Sequence, residues 1–265
     1  WLGNSIYERL QGEGNYTTML RLIDDMGQKE VLSRTGSKTL FVADDDAFAT
    51  WFQSNDWGVS SYEQLSIAQK RLLLNNAMIN NAYLIELLSN LSGNPVQQGK
   101  CMRRPTASQV TDSITVLMPK DMPNTLAWQE HKNRTEGMYI FKDRSASPMI
   151  HFLPAFMRVN NISGEDLSIL TNGRSNTIED SWVNGKKVVE RDITCKNGYI
   201  QKVDGVIEAN PNMADIIRAH KNMSMWSHLL DRFTAPYYVG GLDIEEAGRQ
   251  LRVDSVFEWR YFSDM

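Results

Sequence analysis

The chain has 265 residues, of which 42% are hydrophobic and 23% charged, and this ordinary globular mixture excludes a disordered tail, a collagen-like chain and a disulfide-dense small protein. The 28 Lys and Arg residues against 32 Asp and Glu residues give a formal net charge of −4, so we expect no nucleic acid partner. No apolar run approaches the roughly 20 residues that a membrane-spanning helix needs, so we expect no membrane span in this chain.

The first third of the chain shows helical periodicity. Between residues 16 and 32, large apolar side chains recur every three or four positions, which predicts an amphipathic helix. Gly27 is a residue at which such a helix can end. Residues 62–89 show the longest such pattern, interrupted at Asn75-Asn76 and again at Asn80-Asn81. The interruptions predict two helices rather than one.

A short apolar segment lies between these helical stretches. Residues 38–43 are β-rich and apolar, which predicts a buried strand that ends abruptly at Asp44-Asp45-Asp46. An aspartate at this junction can accept hydrogen bonds from the free N–H groups of the next helix. A calcium or magnesium cluster is the alternative, but the alternating spacing and the Gly of a helix-loop-helix calcium site are absent. We therefore assign Asp44 as a structural helix cap and expect no metal site.

The pattern changes after residue 92. Residues 92–95 form a breaker cluster, and residues 114–118 predict a strand. Residues 120–147 are polar and predict a long loop or insertion, which we expect to be more exposed than the strands. Residues 150–153 fit a helix or a strand equally well.

Two turns mark hairpins in the rear of the chain. Asn184-Gly185 accepts the positive φ angles of a tight turn and predicts a hairpin over residues 182–189. Lys196-Asn197-Gly198 then separates two further β-rich segments, 192–195 and 199–203. Helices in front and strands behind predict an α+β fold.

A weak internal repeat is also present. Residues 18–26 resemble residues 225–233, since in both a stripe of large apolar residues ends in Leu-Ile or Leu-Leu followed by Asp. This similarity predicts a second, like domain that starts near Asn212 and is incomplete in this chain. The alternative is a chance similarity of two amphipathic helices.

No catalytic signature is found. The chain has no Gly-x-Ser-x-Gly and no His-Glu-x-x-His, and residues 93–101 fail the spacing of a phosphate-binding loop. The four histidines are scattered, so we expect them at the surface or partly buried. We predict no catalytic residue and no cofactor. Cys101 and Cys195 fit either a disulfide or two unpaired thiols.

Two of the seven tryptophans are candidates for ligand binding. Trp57 lies in a turn-like segment, Asn55 to Gly58, and Trp128 lies in the polar stretch. An exposed indole can stack on a sugar or anchor a protein partner. Burial in a core is an equally good interpretation of both.

Three segments resemble the fasciclin domain family. Residues 39–48 resemble its first signature box, in which an apolar strand runs into a capped helix ending in Ala-Phe. Residues 184–207 are similar to its closing hairpin, and residues 69–78 lie where the family has a Leu-Leu-x-His helix. The resemblance covers residues 1–210 in outline, with an insertion at about 92–180, and residues 211–265 would begin a second repeat.

The chain departs from the family pattern at two places. Asn75-Asn76 occupies the neighbourhood of a Tyr-His pair that is associated with adhesion in animal members, and Gln201 stands where the closing hairpin has a His. The opening Trp-Leu-Gly-x-Ser-Ile-Tyr is similar to fasciclin repeats in surface lipoproteins of Bacteroidota.

The resemblance implies a fasciclin-like fold, with helices packed on a β-sheet wedge, in an extracytoplasmic adhesion module at the cell surface. It also implies a surface protein or glycan as partner, and a lipid anchor in a segment before residue 1 that holds the protein at the outer membrane. Two alternatives remain. One is a polysaccharide-acting enzyme with carboxylates and Trp57 or Trp128 in a cleft, and the other is a structural spacer.

Overall fold

The computed structural model describes residues 3–34, 36–143, 145–246 and 249–262. Trp1 and Leu2, which open the motif similar to Bacteroidota lipoproteins, lie outside the described residues. Helices make up 35% and strands 25% of the chain, and both sheets are mixed, so the α+β class is confirmed at this level. In the described part of the chain, no helix is long and apolar enough to cross a membrane.

Short helices and strands alternate along the chain. The α-helices are α1 (Ile6–Glu13), α2 (Thr17–Asp25), α3 (Lys29–Ser33), α4 (Asp45–Gln53), α5 (Ile67–Asn75), α6 (Leu126–Gln129), α7 (Pro154–Val159), α8 (Gly164–Leu170), α9 (Met213–Ala219) and α10 (Ser224–Asp231). The strands are β1 (Lys38–Val42), β2 (Met78–Ile79), β3 (Arg103–Arg104), β4 (Thr115–Leu117), β5 (Met138–Phe141), β6 (Met149–Phe152), β7 (Trp182–Val183), β8 (Lys186–Cys195), β9 (Gly198–Val203), β10 (Thr234–Glu246) and β11 (Arg249–Tyr261). Short 3-10 helices cover Tyr62–Gln64, Ile85–Ser89, Val110–Ser113, Pro119–Asp121 and Lys221–Met223.

The chain divides into two compact units. Unit 1 comprises Trp1–Leu65, Lys70–Ser108 and Ser147–Asn210, and unit 2 comprises Ser66–Gln69, Gln109–Ala146 and Pro211–Met265. The predicted insertion at 92–180 therefore does not stay together, since its middle belongs to unit 2 and its two ends belong to unit 1. Unit 1 ends at Asn210, but unit 2 is more than residues 211–265, because it also takes in Ser66–Gln69 and Gln109–Ala146.

Unit 1 is built on a seven-stranded sheet with the order β2-β1-β9-β8-β7-β6-β3. Its one parallel pair joins β1 to β9, with Leu40 opposite Ile200, and the other neighbouring pairs are antiparallel. Leu40, Val42 and Ile200 share a core cluster with residues of α1 and α2. The early strand and the closing hairpin therefore contribute to the same apolar interior.

Alternate side chains of β1 face two different cores. Leu40 and Val42 pack with the first helices, whereas Phe41 packs with Ile85 and Met149 in a second cluster. A strand that is buried on both faces has a continuously apolar sequence, because neither face is exposed to solvent. This burial explains the sequence Leu-Phe-Val-Ala before Asp44.

The aspartates after β1 cap two helices. The Asp44 carboxylate accepts a hydrogen bond from the Ala47 N–H at 2.8 Å and so caps α4, as predicted. Asp45 caps α2 from a distance, because its carboxylate accepts from the Thr17 N–H at 3.2 Å and the Thr18 N–H at 2.9 Å. Partial burial raises the pKa of Asp45, but the hydrogen bonds from Thr18 and Thr17 outweigh this and the pKa lies below its ordinary value.

Replacing Asp45 by alanine is expected to destabilise unit 1 by about 1 to 2 kcal/mol, because the first N–H groups of α2 lose their acceptor. Asp46→Ala is the matched control, since Asp46 is exposed and one position away. Urea unfolding followed by circular dichroism measures both variants. Equal losses in the two would show that Asp45 does not act as a cap.

The closing hairpin carries two buried amides that tie it to the rest of unit 1. The Asn197 Oδ1 accepts from the Ile6 N–H at 2.9 Å, and its Nδ2 donates to the Leu32 carbonyl at 2.8 Å. The Gln201 amide pairs twice with Asp192, accepting from its N–H and donating to its carboxylate. Gln201, which replaces the histidine of the family pattern, thus holds a bulge residue at φ 61°.

Several local predictions need correction. Residues 62–89 contain only one α-helix, because Met78-Ile79 pairs with β1 and Ile85–Ser89 forms a 3-10 helix. The undecided segment at 150–153 falls largely in β6. Both hairpins are confirmed, with Asn184 at φ 45° and Gly185 at φ 73° in the first turn.

The stretch at 120–147, predicted as a long loop or insertion, is not one continuous loop, although most of its described residues lie in turns or irregular segments. This stretch contains α6 and β5, and β5 lies between β4 and β11 in the four-stranded sheet of unit 2, with the order β10-β11-β5-β4. Met138 and Ile140 of β5 are almost fully buried, but many other residues of the stretch are exposed, whereas no residue of β1 or β9 is. The stretch is therefore more exposed than those strands, as predicted. The β11 partner lies more than a hundred positions away, and local composition carries no sign of it.

Candidate functional site

A surface groove of about 660 Å³ lies in unit 1 where α4 begins and β9 ends. Both segments belong to the regions that resemble the fasciclin boxes. Charged side chains of both signs line the groove: Asp44, Asp46, Asp204, Glu208, Arg174 and Lys186. Concave sites of this size with a few fixed polar groups are the usual places where small ligands bind.

Hydrogen bonds hold several of these charged groups in place. The Glu208 carboxylate accepts from the Trp51 indole N–H at 2.9 Å, and the Asp204 carboxylate accepts from the Lys187 backbone N–H at 2.9 Å. The Arg174 guanidinium donates to two backbone carbonyls and lies 4.7 Å from the centre of the Trp182 ring. The polar lining is therefore preorganised, which lowers the entropy lost on binding.

Trp57 adjoins this groove through Trp51. The two indole rings meet edge to face, with centroids 5.6 Å apart and an interplanar angle of 90°. Trp51 lines the groove and is buried, whereas Trp57 remains 37% exposed. The Asn55 side chain accepts from the Trp57 and Val59 N–H groups and so fixes the loop. The structure thus places the predicted Trp57 as an exposed, supported aromatic surface.

Of the two interpretations of Trp128, ligand binding and burial in a core, the structure shows burial. Trp128 is fully buried in unit 2, where its indole N–H donates to the Thr234 hydroxyl at 3.0 Å and its ring lies 4.5 Å from that of Trp259. An indole in this core has no face for a ligand. Trp128 stabilises the sheet of unit 2 instead.

A second groove in unit 1, of about 320 Å³, is lined by residues that already pair with each other. Arg158 contacts Glu179 at 2.6 Å, and Arg191 contacts Glu86 at 3.1 Å. Ion pairs within a lining must break before a charged ligand can bind, so the first groove is the better site.

The remaining reactive groups do not form a site. Cys101 and Cys195 are both free and buried, and burial raises the pKa of Cys195 to about 11, far above that of a reactive thiolate. Among the described residues, no group of three or more His, Cys, Asp or Glu side chains is placed to hold a metal ion.

His151 is the unexpected histidine, because it is fully buried rather than at the surface. Neither ring nitrogen has a hydrogen-bond partner among the described residues. Burial, and secondarily the charge of Arg104, lower its pKa to about 4, so the ring is neutral at pH 7.

Sequence reasoning found Trp57 and Asp44 but missed most of the groove. Arg174 and Glu208 lie in irregular segments and Lys186 begins β8, all far from α4 in the chain, and nothing in their local sequence links them to Trp51. The chain matches no protein-family model and no curated protein, so the groove and its aromatic neighbour carry the functional argument.

Proposed function

We propose that the chain is a fasciclin-like, extracytoplasmic binding module that contacts glycan at the cell surface through Trp57 and the adjoining groove. The single observation that carries the proposal is the exposed Trp57 indole, supported by Trp51, beside a groove with fixed polar groups of both signs. The adhesive role and the surface location follow from the fasciclin resemblance. The parallel pairing of β1 with β9 supports that resemblance, because it joins the two signature segments.

The groove favours a glycan over a protein surface. A sugar ring offers an apolar C–H face to an indole, and its hydroxyl groups both donate and accept hydrogen bonds. Carboxylates such as Asp46 accept those bonds, while Lys186 donates them, so one groove can satisfy both roles of a hydroxyl. A flat protein partner would use a larger surface than one exposed indole provides.

Retention of the purified chain on an array of surface polysaccharides is the first test. We expect Trp57→Ala to weaken binding of a retained glycan by about 30-fold, or about 2 kcal/mol, since an indole anchor of this kind dominates small interfaces. Trp226→Ala is the matched control, because Trp226 is also exposed but lies in unit 2. Calorimetry gives the affinities, and thermal unfolding verifies that both variants fold.

The other outcomes separate the alternatives. Release of reducing ends during the incubation would favour a polysaccharide-acting enzyme, whose carboxylates would be those of the groove. Absence of retention on any glycan would favour a structural spacer. Equal weakening in Trp57→Ala and Trp226→Ala would contradict the proposed site.

A further inference from the structure

The helices α9 and α10 of unit 2 repeat α1 and α2 of unit 1, position by position. The N-cap side chains Ser5 of α1 and Asn212 of α9 accept hydrogen bonds from the N–H groups of Glu8 and Asp215 respectively. Ser5 is as far from Asn212 in the sequence as Glu8 is from Asp215. The first residues of α2 and α10, Thr17 and Ser224, are separated by this same number of positions. A chance similarity of two amphipathic helices would not align the caps as well as the apolar stripe.

The two helix pairs differ in what covers their apolar faces. In unit 1 this face is buried, with exposed fractions of 2% or less, whereas in unit 2 Met213 is 71%, Trp226 62% and Leu229 42% exposed. The corresponding pairs are Ile6 and Met213, Met19 and Trp226, and Leu22 and Leu229. We call the exposed side chains of Met213, Trp226 and Leu229 the 213–229 face. Apolar side chains exposed together usually mark a contact surface.

Unit 1 shows what covers such a face. Leu40 and Val42 of β1 pack against α1 and α2 in the same core cluster. The residue that starts the following helix, Asp45, then places its carboxylate on the first N–H groups of α2. One strand–aspartate–helix segment thus supplies both the apolar cover and a negative charge at the positive end of the helix.

The N-terminus of α10 can bind a carboxylate in the way that the N-terminus of α2 binds Asp45. Its N-cap residue is Met223, which offers no side-chain acceptor, just as the N-cap Tyr16 offers none to α2. In α2 the missing acceptor is supplied by the carboxylate of Asp45, which accepts from the N–H groups of Thr17 and Thr18. Ser224 and Met225 are the corresponding residues of α10.

We propose that the 213–229 face is a docking surface for a polypeptide segment of one kind, an apolar strand that ends in aspartate and leads into a helix. Its strand covers Met213, Trp226 and Leu229, and its aspartate accepts hydrogen bonds from the Ser224 and Met225 N–H groups. Such a segment completes in unit 2 the core that residues 38–53 complete in unit 1. This interaction is independent of the glycan groove, which lies wholly in unit 1.

The test appends residues 36–54 of this chain after residue 265 through a flexible linker, which gives the segment a millimolar effective concentration. Hydrogen exchange of the Ser224 and Met225 amides is expected to slow at least tenfold. In the matched control, the appended copy carries Asn at the position that corresponds to Asp45, and we expect most of that protection to be lost.

Two results would overturn the proposal. Unchanged exchange at Ser224 and Met225 with either appended segment would show that no strand–aspartate–helix segment docks there. The second result is a concentration-dependent dimer of the original chain that does not form in the Trp226→Ser variant. It would assign the 213–229 face to a second copy of the chain instead. Glycan retention is measured on the same samples, so a failure here is distinguishable from a failure of the proposed function.

Discussion

Replacing Gly198 by alanine is expected to lower the free energy of unfolding of unit 1 by more than about 4 kcal/mol, or to prevent folding altogether. Gly198 has a φ of 143°, and a Cβ at this position would lie 1.8 Å from the carbonyl oxygen of Lys38. Lys38 is its direct partner in the parallel pairing of β1 and β9. Relief would require the two strands to separate, and this pair joins β1 and β2 to the rest of the sheet.

Gly185→Ala is the control for backbone strain alone. Gly185 also has a positive φ, 73°, but a Cβ there would meet nothing within 4 Å. We expect a loss of about 1 to 2 kcal/mol, the cost of the left-handed conformation for a residue with a Cβ. Urea unfolding followed by circular dichroism compares the two. Similar losses would mean that Gly198 is required for its dihedral angles and not for the contact with β1.

Lowering the pH from about 6.5 to about 4 is expected to remove about 3 kcal/mol of stability through His151 alone. The ring has an ordinary pKa of 6.5 when the chain is unfolded and a pKa of about 4 in the fold. Between these values the unfolded chain binds a proton that the folded chain does not, so protonation favours unfolding. The contribution is complete near pH 4, below which both states are protonated.

His151→Phe isolates this effect. Phenylalanine fills a similar volume without a titratable group, and it also removes two ring nitrogens that lack partners among the described residues. We expect stability at pH 7 to be equal or higher, and the difference from the original chain to grow as the pH falls toward 4. Carboxylates with lowered pKa, such as Asp45, also lose stability in acid but do so in both proteins. A constant difference across this pH range would contradict the assignment.

The features that sequence reasoning found are those with strong local signals. Asp44 follows an apolar run and precedes a helical stripe, so its capping role could be predicted from a few neighbouring residues. The turn at Asn184-Gly185 is likewise fixed by residues that tolerate positive φ. The family resemblance placed β1 and β9 in one domain, but it did not predict that they pair in parallel.

The features that it missed depend on contacts between distant segments. The polar stretch at 120–147 has a loop-like composition, yet β5 is drawn into a sheet by β11 near the other end of the chain. Trp128 is buried for the same reason, since Trp259 of β11 and Thr234 of β10 cover it. Tertiary pairing of this kind overrides local preference, and one sequence does not reveal it.

Titration of the isotope-labelled chain with a retained oligosaccharide tests the proposed function most directly, through the indole N–H signals in nuclear magnetic resonance spectra. We predict that the signals of Trp57 and of Trp51, whose N–H is held by Glu208, shift together and saturate with the same dissociation constant. The indole signal of Trp226 should stay in place. Shifts confined to unit 2, or saturable binding that leaves Trp57 and Trp51 unchanged, would contradict the assignment of the groove as the glycan site.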